Sequence, residues 1–570
     1  MKTDMQRLFT LLITVLLMNS CVFDQDEKVE PYFANFPDFD ALATQYQKQY
    51  PKIYKQVKSD SLTSQKTVDA NWENELQLFK KTDINRINLI SKYSIDTIES
   101  KLSGKTTYLF TPNSSKTAIK EARYTFDENG NWESVYFKKD VDNPVFETQQ
   151  ELWLTHNLNY RIVTKQKVNM VFNTNLVIEG EPVGAPREYM GMLNIEGEWF
   201  LRFKMYQTKN EKTEWYIQNG SETIELKSAQ PIADSSVLKF PVFNSEFRYK
   251  QIEDTLTGYW YNFDKGDNYR IEFFAAPYFQ SRFEDELAFD SVPDVSGKWE
   301  VAFQDEEEAY PAIGIIEQQG TQLYGTFATE TGDYRHLEGF ISHSAEGNGN
   351  TLYLNTLDGS HAFYFRATLK GDSLVNGVFA SGKHYLANWK ASKNLNAALK
   401  DPNALTFLKE GHEKLAFTFP NLKGEPVSLD DPQYNGKVVL VTLSGTWCPN
   451  CMDEAQYLKE VYSQYHPKGL EIIALQFERS EDFEKAKEAI ERSNKDMAIP
   501  YTQLIAGKAS GKVAAEKLPM LNHVMSFPTL IVLDKQGKVQ RIHTGFYGPG
   551  TGDYYAKFVR ETNALIEELL

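Results

Sequence analysis

The sequence predicts an α+β multidomain protein: helices laid against an antiparallel sheet near the amino terminus, an antiparallel β barrel or sandwich in the middle, and an α/β domain at the carboxyl terminus. Three observations lead there. Apolar residues recur at helical spacing after residue 37, strand-length segments punctuated by Gly, Asp and Asn fill the middle, and past residue 411 β-branched runs alternate with helical patterns. At 570 residues the chain needs several domains, and 41% apolar with 13% aromatic residues suffices for their cores. A net charge of −17 argues against nucleic acid and anionic lipid surfaces as partners.

Taken in order, Lys2 and Arg7 precede an apolar run over residues 8–18, which ends in Asn19-Ser20-Cys21. The run is too short to span a bilayer and is built like a secretory signal. Ser20 before Cys21 resembles a lipoprotein signal, so residues 1–20 are expected to be removed and Cys21 lipidated; a transmembrane anchor is the alternative. Residues 21–36, with Asp24, Asp26 and Glu27, read as a solvated tether.

Residues 37–236 form the first expected domain. Leu42, Tyr46, Tyr50 and Tyr54 predict a helix over 39–57, and Trp72, Leu76 and Phe79 predict another over 68–79. Strands follow from about Thr106. The segment 122–137 is a strong hairpin signal around Asp127-Glu128-Asn129-Gly130, and 190–203 repeats the layout with a turn at Glu196-Gly197. The region resembles uncharacterised amino-terminal domains of Gram-negative envelope lipoproteins, a resemblance that brings no activity. Nothing in it has catalytic spacing.

Residues 237–395 read as almost entirely β. From Ser296 the turns at Gly320, Gly332, Asp358-Gly359, Gly371 and Gly382 divide the chain into about eight antiparallel strands, a small barrel or sandwich. Asp358-Gly359-Ser360-His361 is either a hairpin turn or part of a ligand site at one rim. Residues 396–410 read as a helical linker into the last domain, 411–570.

That domain carries the chemistry. A buried-strand run over 437–443 leads into Trp447-Cys448-Pro449-Asn450-Cys451, after which Met452, Ala455, Leu458, Val461 and Tyr465 recur at helical spacing. Pro449 falls in the first turn, where its missing N–H costs nothing. Cys448 is therefore expected at the positive end of a helix, where a thiolate is favoured. Cys448 is the expected attacking nucleophile, and Cys451, one turn on, the resolving thiol. The chain has three cysteines in all, Cys21 being the third, so no second cysteine pair exists to complete a four-thiolate zinc site. No metal and no cofactor beyond the Cys448–Cys451 dithiol is expected.

Residues 411–570 resemble the TlpA/ResA-type branch of the thioredoxin superfamily, grouped with redoxin and AhpC/TSA-like domains. The resemblance rests on Phe417, Leu422, Gly424, Val427 and Leu429 of an opening hairpin, on 437–441 with Gly445-Thr446-Trp447-Cys448-Pro449-Asn450-Cys451, on Glu454, and on Ser526-Phe527-Pro528-Thr529. It implies a thioredoxin-like α/β domain in which Pro528 is cis and faces the cysteines, with Trp447, Phe527 and Pro528 holding a substrate strand. Thr442 stands where thioredoxin has a buried aspartate. Glu454 is then the candidate proton acceptor for Cys451, the alternative being a solvated carboxylate beside Asp453 on a charged helix face. Phe527 is bulkier than the residue usual before the proline, which implies a narrow apolar groove. Glu478 and Asp482 are expected to cap the helix after the next strand. His523 and His543 flank Pro528; one of them tunes Cys448 or both are structural.

The resemblance implies a thiol-disulfide oxidoreductase, facing the periplasm or the cell surface of a Gram-negative envelope, that reduces or exchanges disulfides of exported proteins. Its implied partners are cysteine-containing envelope proteins and a membrane thiol reductant of the DsbD/CcdA kind, with the membrane reached through a lipid anchor at Cys21. The alternatives are a binding lipoprotein whose redox domain is accessory, and a thiol peroxidase.

Overall fold

The computed structural model describes residues 31–60, 62–143, 146–168, 172–197, 199–209, 213–277, 292–306, 308–343 and 349–570. The signal segment, Cys21 and residues 21–30 of the expected tether lie outside them. The chain divides into two compact units, one of residues up to Ile98 with Thr107–Pro182, the other of Glu99–Thr106 with Val183–Leu570.

The first unit is mostly sheet. Nine strands, from Lys52–Ser59 to Phe172–Pro182, form one sheet, and two eleven-residue helices, Phe39–Gln49 and Trp72–Thr82, bury Phe39, Leu42, Trp72, Leu76 and Phe79 in a core shared with Phe110, Tyr124 and Phe137. Asp38 and Asn71 cap these helices by accepting the N–H groups of Ala41 and Asn74. The first helix stops well short of residue 57, because Pro51 follows and Lys52–Ser59 pairs as a strand with Leu62–Asp69 and Phe172–Pro182. Ile53 of that strand is fully buried in the sheet core. Sheet thus dominates this unit, where a helix-plus-antiparallel-sheet domain was expected. Nor is all of 21–36 tether: Phe33 and Phe36 are buried in this core. The hairpin over 122–137 is present, with Phe126 opposite Trp132.

The second unit opens with a closed eight-stranded barrel, from Arg187–Glu196 round to Arg270–Pro277, which pair with each other. The hairpin turning at Glu196-Gly197 is its first, with Glu196 opposite Trp199. A domain boundary at 236/237 falls at the start of strand Ser235–Lys239, inside this barrel. Closure joins strands about 80 residues apart, and no local pattern marks it. The next sheet, Gly297–Gln304 to Tyr385–Lys393, holds nine strands, and the pairing of Ala309–Gln319 with Gln322–Thr329 closes eight of them into a ring. Asp358–His361 is the turn between Asn350–Leu357 and Ala362–Lys370. The span 396–410 is not helical; it runs as turns, buries Thr406 and bridges Leu408 to Leu521.

The last domain is the expected thioredoxin-like arrangement. Its sheet runs Thr502–Lys508, Leu470–Glu478, Val438–Ser444, Thr529–Leu533, Val539–Thr544, the first three parallel and the last two antiparallel. Val438–Ser444 is buried throughout: Val439, Val441 and Leu443 face Ala514 and Leu518, while Val438 and Leu440 face the side of helices Pro449–Tyr465 and Asp553–Leu569. The opening hairpin pairs Thr418–Pro420 with Pro426–Ser428.

Candidate functional site

Where the central strand Val438–Ser444 ends, three residues lead to Cys448, the N-cap of the helix Pro449–Tyr465, with Pro449 in its first turn. Cys448 and Cys451 are joined as a disulfide, with their Cα atoms 5.2 Å apart. Cys451 N–H, one of the amides freed at the helix start, points at Cys448 Sγ, 3.2 Å away. Cys448 is 6% exposed and Cys451 fully buried, which orders them as outer and inner thiol.

The second wall is Ser526-Phe527-Pro528, whose Phe527–Pro528 peptide bond is cis. It places the Phe527 carbonyl oxygen 3.5 Å from Cys448 Sγ. Phe527 packs edge-on to Trp447 at 5.9 Å and against Phe477 at 5.4 Å. Trp447 is held by its Nε1–H donating to the Phe477 carbonyl at 2.8 Å, and the Arg479 guanidinium lies 5.3 Å over its ring. Trp447, Cys448, Cys451, Phe527 and Pro528 thus meet at one site.

Glu454 is not on a solvated face. It is 1% exposed, and its Oε2 accepts the Thr442 hydroxyl at 2.5 Å while Oε1 has no hydrogen-bond partner. Glu454 and Cys451 line the same enclosed cavity of about 10 Å³, room for one water, together with Ser444, Gln476 and Tyr501. Burial pushes the Glu454 carboxyl up to about 8, despite the Thr442 hydrogen bond. Such a value suits proton exchange with a thiol of ordinary pKa near 8.5.

Asp482 caps the helix Phe483–Met497, accepting the Lys485 N–H at 3.0 Å. Glu478 does not; it is 3% exposed and accepts both the N–H and the hydroxyl of Thr446, at 2.9 and 2.8 Å. It therefore fixes the loop that carries Trp447 and Cys448. The apolar run preceding Glu478 signalled a buried strand whose terminal carboxylate needs a donor, but its partner lies 32 residues back. His543 is buried against Phe558 and hydrogen-bonded to Asn403, and burial holds its pKa down near 4. His523 is exposed beside Asn522. Both histidines have these structural partners rather than the cysteines.

The preceding β region also reaches the site, which sequence reasoning missed. Arg335 forms a two-pronged ion pair with Asp453 of the redox helix, at 2.8 and 2.7 Å, and also contacts Glu222 at 2.6 Å and Asp358 at 3.5 Å. Asn450, between the cysteines, donates to the carbonyls of Asp333 and Phe546 at 3.1 and 3.2 Å. No group of three or more His, Cys, Asp or Glu side chains placed to hold a metal occurs among the described residues.

Residues 411–542 match the AhpC/TSA family. The thioredoxin-like protein YneN of Bacillus subtilis is 33% identical over 138 residues, 24% of this chain and 73% of the relative. The thiol-disulfide oxidoreductase ResA of Bacillus thuringiensis is 31% identical over 129 residues, 23% of this chain and 66% of its own length. The solved thioredoxin domain of a thiol-disulfide oxidoreductase from Bacteroides vulgatus is 30% identical, covering 27% of this chain and 99% of that domain with a TM-score of 0.21.

Proposed function

We propose, on the premise that this chain belongs through its carboxyl-terminal region to the AhpC/TSA family, with the thioredoxin-like protein YneN and the thiol-disulfide oxidoreductase ResA as relatives, that the protein reduces or exchanges disulfides of exported proteins in the cell envelope. The observation that carries the reading is the outer sulfur of Cys448, capping a helix beside the cis Phe527–Pro528 backbone, with the inner Cys451 sharing a cavity with Glu454.

In the reduced enzyme the Cys448 thiolate attacks one sulfur of the substrate disulfide, and the other sulfur leaves as a thiolate that takes up a proton. Cys451 passes its proton to ionised Glu454 and attacks the Cys448 sulfur. The second substrate sulfur departs as a thiolate that takes the proton from Glu454, and the Cys448–Cys451 disulfide forms, so two electrons have moved from enzyme to substrate. A membrane dithiol reductant of the DsbD/CcdA kind returns the enzyme to its dithiol form. Trp447, Phe527 and Pro528 flank the docked substrate. The reading includes export, a lipid anchor at Cys21 and a periplasmic or surface location, supported by the signal-like segment of residues 1–20. Among the described residues no helix is long and apolar enough to cross a membrane.

The full-length protein should reduce insulin with dithiothreitol as donor, and Cys448→Ser should abolish it. Cys451→Ala should accumulate mixed disulfides with envelope proteins, visible as species that vanish on reduction. Equal rates for wild type and Cys448→Ser would sink the oxidoreductase reading.

A further inference from the structure

The turn between strands Gln322–Thr329 and Gly332–Asp333 stands against the redox face. Its Thr331 carbonyl accepts the Ser526 hydroxyl at 2.6 Å, immediately before Phe527–Pro528. Its Asp333 carbonyl accepts from Asn450 of the active-site dipeptide, and its Asp333 carboxylate accepts the Gly548 N–H. Tyr547 holds its near end, donating to the Thr329 carbonyl at 3.0 Å, and the Arg335–Asp453 pair holds its far end.

The fit leaves no slack. A Cβ at Gly332 would lie 2.6 Å from Asn450 Nδ2, and one at Gly545 would lie 2.8 Å from the Thr331 carbonyl carbon. On the other flank, Ser360 donates its hydroxyl to the Trp447 carbonyl at 3.3 Å. Cys448 is left 6% exposed between these contacts.

An extended polypeptide that presents a disulfide to such a site pairs with backbone as an added strand, and the backbone nearest Cys448 is that of Phe527, next to Ser526, the Ser526 and Pro528 carbonyls already accepting from the Thr529 hydroxyl and the Gly545 N–H. We propose that the 329–335 turn is a specificity element: it occupies the Ser526 end of the strand-pairing edge, so the intact protein favours disulfides on small or protruding groups over disulfides set in extended chains. The element selects among substrates of the thiol-disulfide exchange described above and rests on that reading.

The test compares full-length wild type, Gly332→Ala and Tyr547→Phe on glutathione disulfide and on insulin, each with dithiothreitol as donor. Gly332→Ala strains the turn, at a φ of +145° and with its Cβ 2.6 Å from Asn450 Nδ2, and Tyr547→Phe releases one hydrogen bond at near-constant volume. Turnover of insulin, as kcat/KM, should rise about five-fold in each variant, the scale of one lost hydrogen bond, while glutathione disulfide changes less than about two-fold. If Gly332→Ala does not fold, Tyr547→Phe decides alone. An insulin-to-glutathione ratio equal to wild type in every folded variant overturns the specificity role while leaving the oxidoreductase reading intact. Wild type inactive on both disulfides overturns the oxidoreductase reading, and this one with it.

Discussion

Asp453 and Glu454 are adjacent carboxylates with opposite surroundings: Asp453 meets the Arg335 guanidinium, while Glu454 turns inward to Thr442 with one oxygen unpartnered. The burial that raises the Glu454 carboxyl to about 8 makes stability depend on pH. Below an unfolded pKa near 4.5 both states carry the proton and there is no penalty. As pH rises from there toward 8 the unfolded chain ionises first, so stability falls, by about 5 kcal/mol in full. Glu454→Gln should flatten that slope between pH 5 and 8 and be the more stable protein at pH 8, as read by denaturant titration at fixed pH; an unchanged slope would refute the assignment. The same variant should slow resolution of the mixed disulfide by about 10- to 100-fold, measured by stopped-flow quench. Glu454 was a candidate from its spacing to Cys451, but a charged neighbour at Asp453 left its side undecided until the helix was placed on the sheet.

At the scale of elements, the strand Val438–Ser444, the helix Pro449–Tyr465 and the opening hairpin were legible, because alternation, helical spacing and turn residues are short-range signals. The loop between strand and redox helix is different. Its shape rests on Glu478 at the end of the neighbouring strand, which takes both donors of Thr446. A carboxylate five residues before Phe483 reads as a cap in sequence, and only the parallel pairing of Leu443 with Leu475 brings it to Thr446 instead. Glu478→Ala should lower stability by about 2–3 kcal/mol, since it leaves a buried N–H unpaired, and Glu478→Gln should cost less because it keeps an acceptor. Thermal unfolding followed by tryptophan fluorescence reports this directly, Trp447 being next to the clamp.

At the scale of the molecule, Arg335 gathers Asp453 of the redox domain, Glu222 of the barrel and Asp358 of the second β sheet around one buried guanidinium. Arg335→Ala leaves three half-buried or buried carboxylates without their cation and should cost about 3–5 kcal/mol. Chemical denaturation should show that loss, and an unchanged midpoint would mean the cluster is not holding these parts together. No sequence feature announced it: Arg335 follows a turn in a β-rich stretch, and its partner on the redox helix is 118 residues away. The barrel was hidden for the same reason. Its strands were visible one by one, yet the pairing of the first with the last decides that 183–277 is one closed body.

The sequence by itself determined the dithiol, its helix-start setting and the strand beneath it, because each depends on neighbours within a few residues, while the proline opposite, 80 residues on, was implied by the family resemblance. Tertiary structure alone decided that Glu454 is buried, that Glu478 braces the active-site loop, and that the 329–335 turn borders the substrate edge. Those depend on desolvation and on hydrogen bonds between residues far apart in the chain, and neither leaves a periodic trace in it.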